Sequence, residues 1–221
     1  EIKGGGRGPN EALGKAKVLF EEGKYSEAVQ AFSDFIVAYF TSPLVDEAQF
    51  YLARCYFEMK DYTEAIKEFR FLVHNFPESR FADDGYFYLG QAYFLDVPNV
   101  YVDQKGTYRA MDVFKTLILK FPESEYVGPA QEWIDKCKAR LFEKDLESAI
   151  FYFRNGKYKS ALIYLKGKEN EVPPSLKDKF SFYLGATLWE LDRRDEAMQY
   201  LMAVSSGSPF YRKAQAYLRR R

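Results

Sequence analysis

One phrase recurs along this chain, and its spacing constrains the fold more than any other feature. Lys24-Tyr25-Ser26-Glu27-Ala28 is followed by Phe32, and Asp61-Tyr62-Thr63-Glu64-Ala65 by Phe69. Thr107-Tyr108-Arg109-Ala110 is followed by Phe114, and Lys157-Tyr158-Lys159-Ser160-Ala161 by Leu165. A weaker fifth copy is Arg194-Asp195-Glu196-Ala197, followed by Leu201. Leu52-Ala53, Leu89-Gly90 and Leu184-Gly185 stand upstream of the next copies, and Pro77, Pro122 and Pro173 downstream. Ala28 to Ala65 and Leu52 to Leu89 are both 37 residues; Ala65 to Ala110 and Pro77 to Pro122 are both 45; Ala161 to Ala197 is 36.

Small residues at fixed helical positions, large ones between them and a closing Pro make up the tetratricopeptide (TPR) pattern, whose period is about 34 residues. The small residue lets two helices approach, aromatics fill the groove between pairs, and Pro stops the second helix. The expected fold is all-α: a TPR-type solenoid of about five helix pairs, a right-handed superhelix without a sheet. Helices are expected near 10–22, 25–40, 44–59, 62–75, 80–95 and 105–121. A long stretch follows at 125–155, then 158–168, 174–191, 194–204 and 208–220. Residues 1–9, with Gly4, Gly5, Gly6, Gly8 and Pro9, read as a flexible leader. Asp96 to Gly106 lengthens the third repeat's turn by 8 residues, and an extra helix near 125–143 also departs from the plain array. Loops that interrupt a regular repeat often carry function.

In a TPR array the first helix of each pair lines the concave surface. Position 1 falls at Pro9, Asp46 and Asp83, and positions 5 and 12 share one helix face. They read Leu13 and Phe20, Phe50 and Phe57, Phe87 and Phe94. Position 9, between them, reads Lys17, Arg54 and Gln91. These residues form the candidate groove: an aromatic trough with two cations in its floor, suited to an extended peptide that brings an apolar anchor and a carboxylate. The same rings also serve as packing between repeats in a second reading of these positions.

Composition narrows the chemistry. The 221 residues carry 47% hydrophobic and 29% charged side chains, so a core can form. Lys plus Arg and Asp plus Glu both number 32, a balance unlike that of a general nucleic-acid binder. The charge is nonetheless polarised: residues 1–110 hold 12 basic and 17 acidic side chains, and residues 111–221 hold 20 and 15. Arg219-Arg220-Arg221 add to the basic half. The only His, His74, suits the end of a helix, and one His builds neither a His-based triad nor a multi-His metal site. Gly14-Lys15 is no phosphate loop, because Pro9 and Ala16 occupy the positions that need Gly and Ser or Thr. Asp83-Asp84 and Glu21-Glu22 read as helix-end carboxylates. No catalytic residue, metal or cofactor is expected. Cys55 and Cys137 read as buried free thiols. No stretch of about 18 apolar residues is available to cross a membrane. The chain begins at Glu1 without an initiator Met, so an upstream segment is expected to have been removed.

The second half carries a family resemblance. Val102-Asp103-Gln104 precedes the helix of Ala110 and Phe114, then comes Lys120-Phe121-Pro122-Glu123-Ser124-Glu125-Tyr126. Arg140-Leu141-Phe142-Glu143-Lys144-Asp145 follows, and then Phe151-Tyr152-Phe153-Arg154-Asn155-Gly156-Lys157-Tyr158. This order resembles the BamD (YfiO) family, TPR lipoproteins of the outer-membrane β-barrel assembly machinery, across roughly residues 10–220. The resemblance implies a non-enzymatic scaffold on the periplasmic face of the outer membrane, held by an acylated Cys upstream of Glu1. Its expected partners are the periplasmic POTRA domains of a BamA-like barrel protein, other Bam lipoproteins and unfolded outer-membrane proteins, whose aromatic-ended signals would meet the trough. It also implies a loop element at Asp103 and Gln104, and a partner interface involving Arg140, Arg154, Lys157, Tyr158 and Tyr164. Tyr164 stands where the family often has an Arg, and Phe142 where it has Ala.

The expected organisation is thus a leader at 1–9, a client-binding half at 10–122 and a partner-scaffolding half at 123–221. The first rival is another periplasmic TPR adaptor, of the cell-division and Tol-system coordinator type. A second is the helical accessory domain of a lytic transglycosylase, for whose separate catalytic domain this chain has no room.

Overall fold

The computed structural model describes residues 8–220, which form eleven α-helices and no strand. Five pairs run in chain order. α1 (Pro9–Glu21) precedes α2 (Tyr25–Ala38), α3 (Val45–Glu58) precedes α4 (Tyr62–Asn75), and α5 (Ala82–Leu95) precedes α6 (Lys105–Lys120). The long α7 (Val127–Arg154) precedes α8 (Tyr158–Leu165), and α9 (Lys177–Glu190) precedes α10 (Arg194–Met202). α11 (Tyr211–Leu218) closes the described chain. The expected leader overlaps α1 by one residue: Pro9 already opens the helix, where its fixed φ fits and its missing N–H costs nothing. Residues 1–7 of that leader, and Arg221 of the Arg tail, lie outside the described residues.

Two local devices build the array. Within four pairs, the first helix ends in a residue with positive φ: Gly23 (73°), Lys60 (61°), Gly156 (68°) and Asp192 (60°). At each, the next N–H reaches back five residues to a carbonyl, as in Lys24 to Leu19 and Asp61 to Tyr56, both 2.9 Å. This left-handed cap satisfies the last carbonyls and reverses the chain within three residues. The α5–α6 turn alone departs, because residues 96–104 are inserted there.

Between pairs, a Ser ends the turn two residues before a large apolar one. The hydroxyls of Ser42, Ser79, Ser124 and Ser208 accept from the N–H of Leu44, Phe81, Tyr126 and Phe210 at 3.1–3.2 Å. Ser79 and Ser124 then donate back to the preceding first helix, to Asp46 at 2.6 Å and Asp83 at 2.7 Å.

Close approach explains the small residues. A Cβ at Gly90 would sit 2.6 Å from the Phe114 ring, and one at Gly185 2.7 Å from Leu201. Ala53, Ala65, Ala110, Ala161 and Ala197 are all fully buried.

The chain divides into two compact units, one up to Cys137 and one from Lys138, so the division falls inside α7 and not at the expected 122/123 boundary. The first unit packs Phe32, Phe69, Phe114 and their neighbours. In the second, α9 is buried on every side from Phe180 to Trp189, against α8, α10 and α11.

Candidate functional site

The expected trough is largely core. Leu13, Phe50, Phe87 and Phe94 are each under 10% exposed. For Phe50 and Phe87 the cause is the inter-repeat turn, whose apolar residue folds back onto the first helix, and for Phe94 it is α7. Phe50 stacks on Phe81 at 4.9 Å, Phe87 stacks on Tyr126 at 4.5 Å, and Phe94 meets Trp133 edge-on at 5.2 Å. Burying each such ring contributes roughly 1.5–3 kcal/mol. The two remaining rings stay half-buried. Phe20 lies edge-on to Tyr25 and Tyr51, and Phe57 edge-on to Tyr62 and Tyr88. Gln91 is half-buried as well.

Around Arg54 the structure assembles a polar centre. The guanidinium lies 4.1 Å from the Tyr88 ring centroid, with Phe20 at 5.7 Å and Phe50 at 5.9 Å. A cation held against several rings in partial burial gains on the order of 1–2 kcal/mol. One terminal nitrogen donates to Glu58 at 2.8 Å. Its Nε is buried and has no hydrogen-bond acceptor among the described residues. Burial raises the Tyr88 phenol, and the Arg54 charge opposes that rise.

Lys17 is engaged differently. It donates to the buried Glu47 carboxylate at 2.8 Å, and Arg80 donates to the other oxygen of Glu47 at 2.7 Å. The Glu47 bond raises the Lys17 ammonium above its ordinary value, so this cation is neutralised within the fold. Asp84 is pushed above the usual carboxylate range by burial, against the bond it accepts from Tyr126 at 2.7 Å. Glu47, Arg80 and Tyr88 escaped sequence reasoning. The readable signal was distance: Arg54 to Tyr88 is 34 residues, and Glu47 to Arg80 is 33.

Gln104 is buried and holds the inserted loop from beneath. Its amide donates to the carbonyls of Asn99 at 2.8 Å and Val102 at 3.1 Å, and its oxygen accepts from Thr107 at 2.8 Å. Asp103 is exposed and accepts from the Lys105 N–H at 2.8 Å, starting α6.

The expected partner residues are only partly gathered. Arg154, Lys157 and Tyr158 share the α7–α8 turn, where Tyr158 lies edge-on to Phe153. Tyr164 stacks on Tyr152 at 5.6 Å. Arg140, half-buried, stands about 21 Å back along α7 from Arg154.

Among solved structures, the chain resembles the TPR2AB domain of yeast Sti1 in its complex with pHSP90, at TM-score 0.50 and 13% identity, over 95% of this chain and 81% of that one. A thermophilic TPR protein of Thermus thermophilus aligns at TM-score 0.44 and 17% identity, over 96% and 99%. No curated protein matches the sequence. The sequence model of the YfiO family, described as outer membrane lipoprotein, matches residues 7–170. The fold is the TPR solenoid, and a TPR array of this family is a protein-binding scaffold or adaptor. With its match spanning most of the repeats, the chain belongs to the YfiO family of outer membrane lipoproteins.

Proposed function

We propose that this chain is a non-enzymatic scaffold of outer-membrane β-barrel protein assembly, acting at the periplasmic face. Its first three repeats receive segments of unfolded barrel proteins. Its half from 123 onward, with the Arg154–Tyr158 turn, Tyr164 and Arg140, binds the POTRA domains of a BamA-like subunit, and other Bam lipoproteins join the assembly. The membrane is reached through a lipid anchor upstream of Glu1.

The observation that carries the reading is the Arg54 centre in a chain of this family. A guanidinium with a buried, unsatisfied Nε stands over the rings of Tyr88, Phe20 and Phe50, and Phe20 and the Phe57 that packs on Tyr88 are half-exposed. That arrangement suits a chain terminus with an aromatic side chain and a free carboxylate, because Arg forks onto a carboxylate while rings supply contact area.

The test is a peptide ending in Phe with a free carboxylate, titrated into the full chain. Arg54→Glu should weaken binding at least about tenfold and Phe57→Ala about fivefold. Amidating the peptide should cost about as much as Arg54→Glu. Unchanged affinity in all three would remove the client site. Co-purification of the natively anchored protein from solubilised membranes tests the assembly role. A POTRA-bearing barrel protein in near-stoichiometric amount supports it, whereas Tol-system proteins in its place support the coordinator reading.

A further inference from the structure

The second helices of repeats two and three carry a surface that the assembly role leaves unused. Between α4 and α6 lie two open recesses of about 700 Å³ and 490 Å³, which share Lys67 and Tyr93 in their linings. Lys67, Arg70, His74 and Lys120 line the larger, and no carboxylate does. The smaller adds Lys105 and Arg109, with Asp96 and Asp103 at its loop side. The floor is apolar and aromatic: Leu89, Tyr93 and Val113.

These cations are poorly neutralised. The Arg70 side chain has neither a hydrogen bond nor an ion pair among the described residues. Lys120 donates only to the neutral Tyr86 hydroxyl, at 3.0 Å. Lys67 pairs with Glu64, which is not part of the lining, and Lys105 with Asp103. From Lys105 to Lys120 the α6 axis rises about 22 Å. That length matches about seven residues of extended chain at roughly 3.3 Å each.

We propose that this strip binds an extended acidic segment of a partner protein, with carboxylates toward the cations and an aromatic or aliphatic side chain on the floor between them. Charge complementarity selects carboxylates. The recessed apolar floor selects a chain over a bilayer, because a flat lipid surface reaches the rim cations but not Leu89 or Val113. The site is separate from the Arg54 centre, so it stands whether or not that centre receives clients.

The experiment uses the full chain and a labelled heptapeptide, blocked at both ends, that alternates Glu with aromatic residues. Binding should weaken with added salt and fall by about tenfold or more when Gln replaces each Glu. The double variant Arg70→Glu/Lys120→Glu should lose it to a similar degree, and Arg70→Gln/Lys120→Gln should lose part of it. Arg54→Glu should leave it unchanged, because Arg54 lines neither recess. Equal binding of the Gln peptide, indifference to both double variants, or loss on Arg54→Glu overturns the proposal. So does a double variant that releases the chain from phosphatidylglycerol vesicles while the heptapeptide never binds.

Discussion

Position 60 is Lys where positions 23 and 156 are Gly, yet all three adopt the same left-handed turn. A side chain there brings its Cβ against the following carbonyl, at a cost on the order of 1 kcal/mol. Asp192 bears the same strain in the last pair, although Asp tolerates it better. Lys60→Gly should therefore raise stability by about 0.5–1 kcal/mol, and Asp192→Gly by less, after the greater freedom of Gly in the unfolded chain is deducted. Urea denaturation checks both, and a loss of stability at Lys60 would contradict the strain argument. Arg54 poses the opposite question at this scale. A buried donor without an acceptor normally costs about 1–3 kcal/mol. That cost is tolerable in a scaffold if an incoming acceptor offsets it, which is the condition the Arg54→Glu titration addresses.

At the scale of elements, a Ser-to-Asp bond ties two of the turns to the first helix of the pair before. Ser79 to Asp46 and Ser124 to Asp83 repeat the same geometry, although the second spans 41 residues and the first 33. The inserted loop therefore adds chain without disturbing the strap, because Gln104 gathers it before α6 begins. Ser79→Ala and Asp46→Ala should each destabilise by about 1 kcal/mol, and the double variant should show a coupling of similar size. Additive losses would mean the bond carries no energy of its own. Much of this scale was legible in the chain. The Tyr-x-x-Ala phrase sits in the first turn of α2, α4 and α8, and the expected helix limits fall within a few residues of those observed. The trough was legible only as a helix face. Heptad spacing places Phe50 and Phe57 on one side of α3 but does not reveal that Phe81, arriving from the next turn, covers Phe50 and leaves Phe57 half-open. The missing information is a pairing at about one repeat period, and no window along a single helix contains it.

At the scale of the whole molecule, the two thiols are unevenly placed. Cys55 and Cys137 both lie buried in the first unit, and burial pushes the Cys55 thiol up to about 12. Thiol labelling in native buffer thus reports opening of that unit alone, because the described residues of the second contain no Cys. Gly185→Ala forces a methyl group against Leu201 and should destabilise the second unit by about 1–3 kcal/mol. Cys55 labelling should remain as slow as in the parent chain while exchange of the α9 amides accelerates. A matching rise in Cys55 labelling would show that the units open together.

The enclosure of α9 also has a consequence in time. Phe180 to Trp189 precede α10 and α11 in the chain; Phe142, Phe153 and Leu165 shelter part of them, and the rest stays uncovered until residues 194–218 have followed. The first unit can close over its own aromatics much earlier, since its described helices precede this point in the chain. During synthesis that interval leaves one greasy helix half-covered, and a holding chaperone would grip it until α10 and α11 dock.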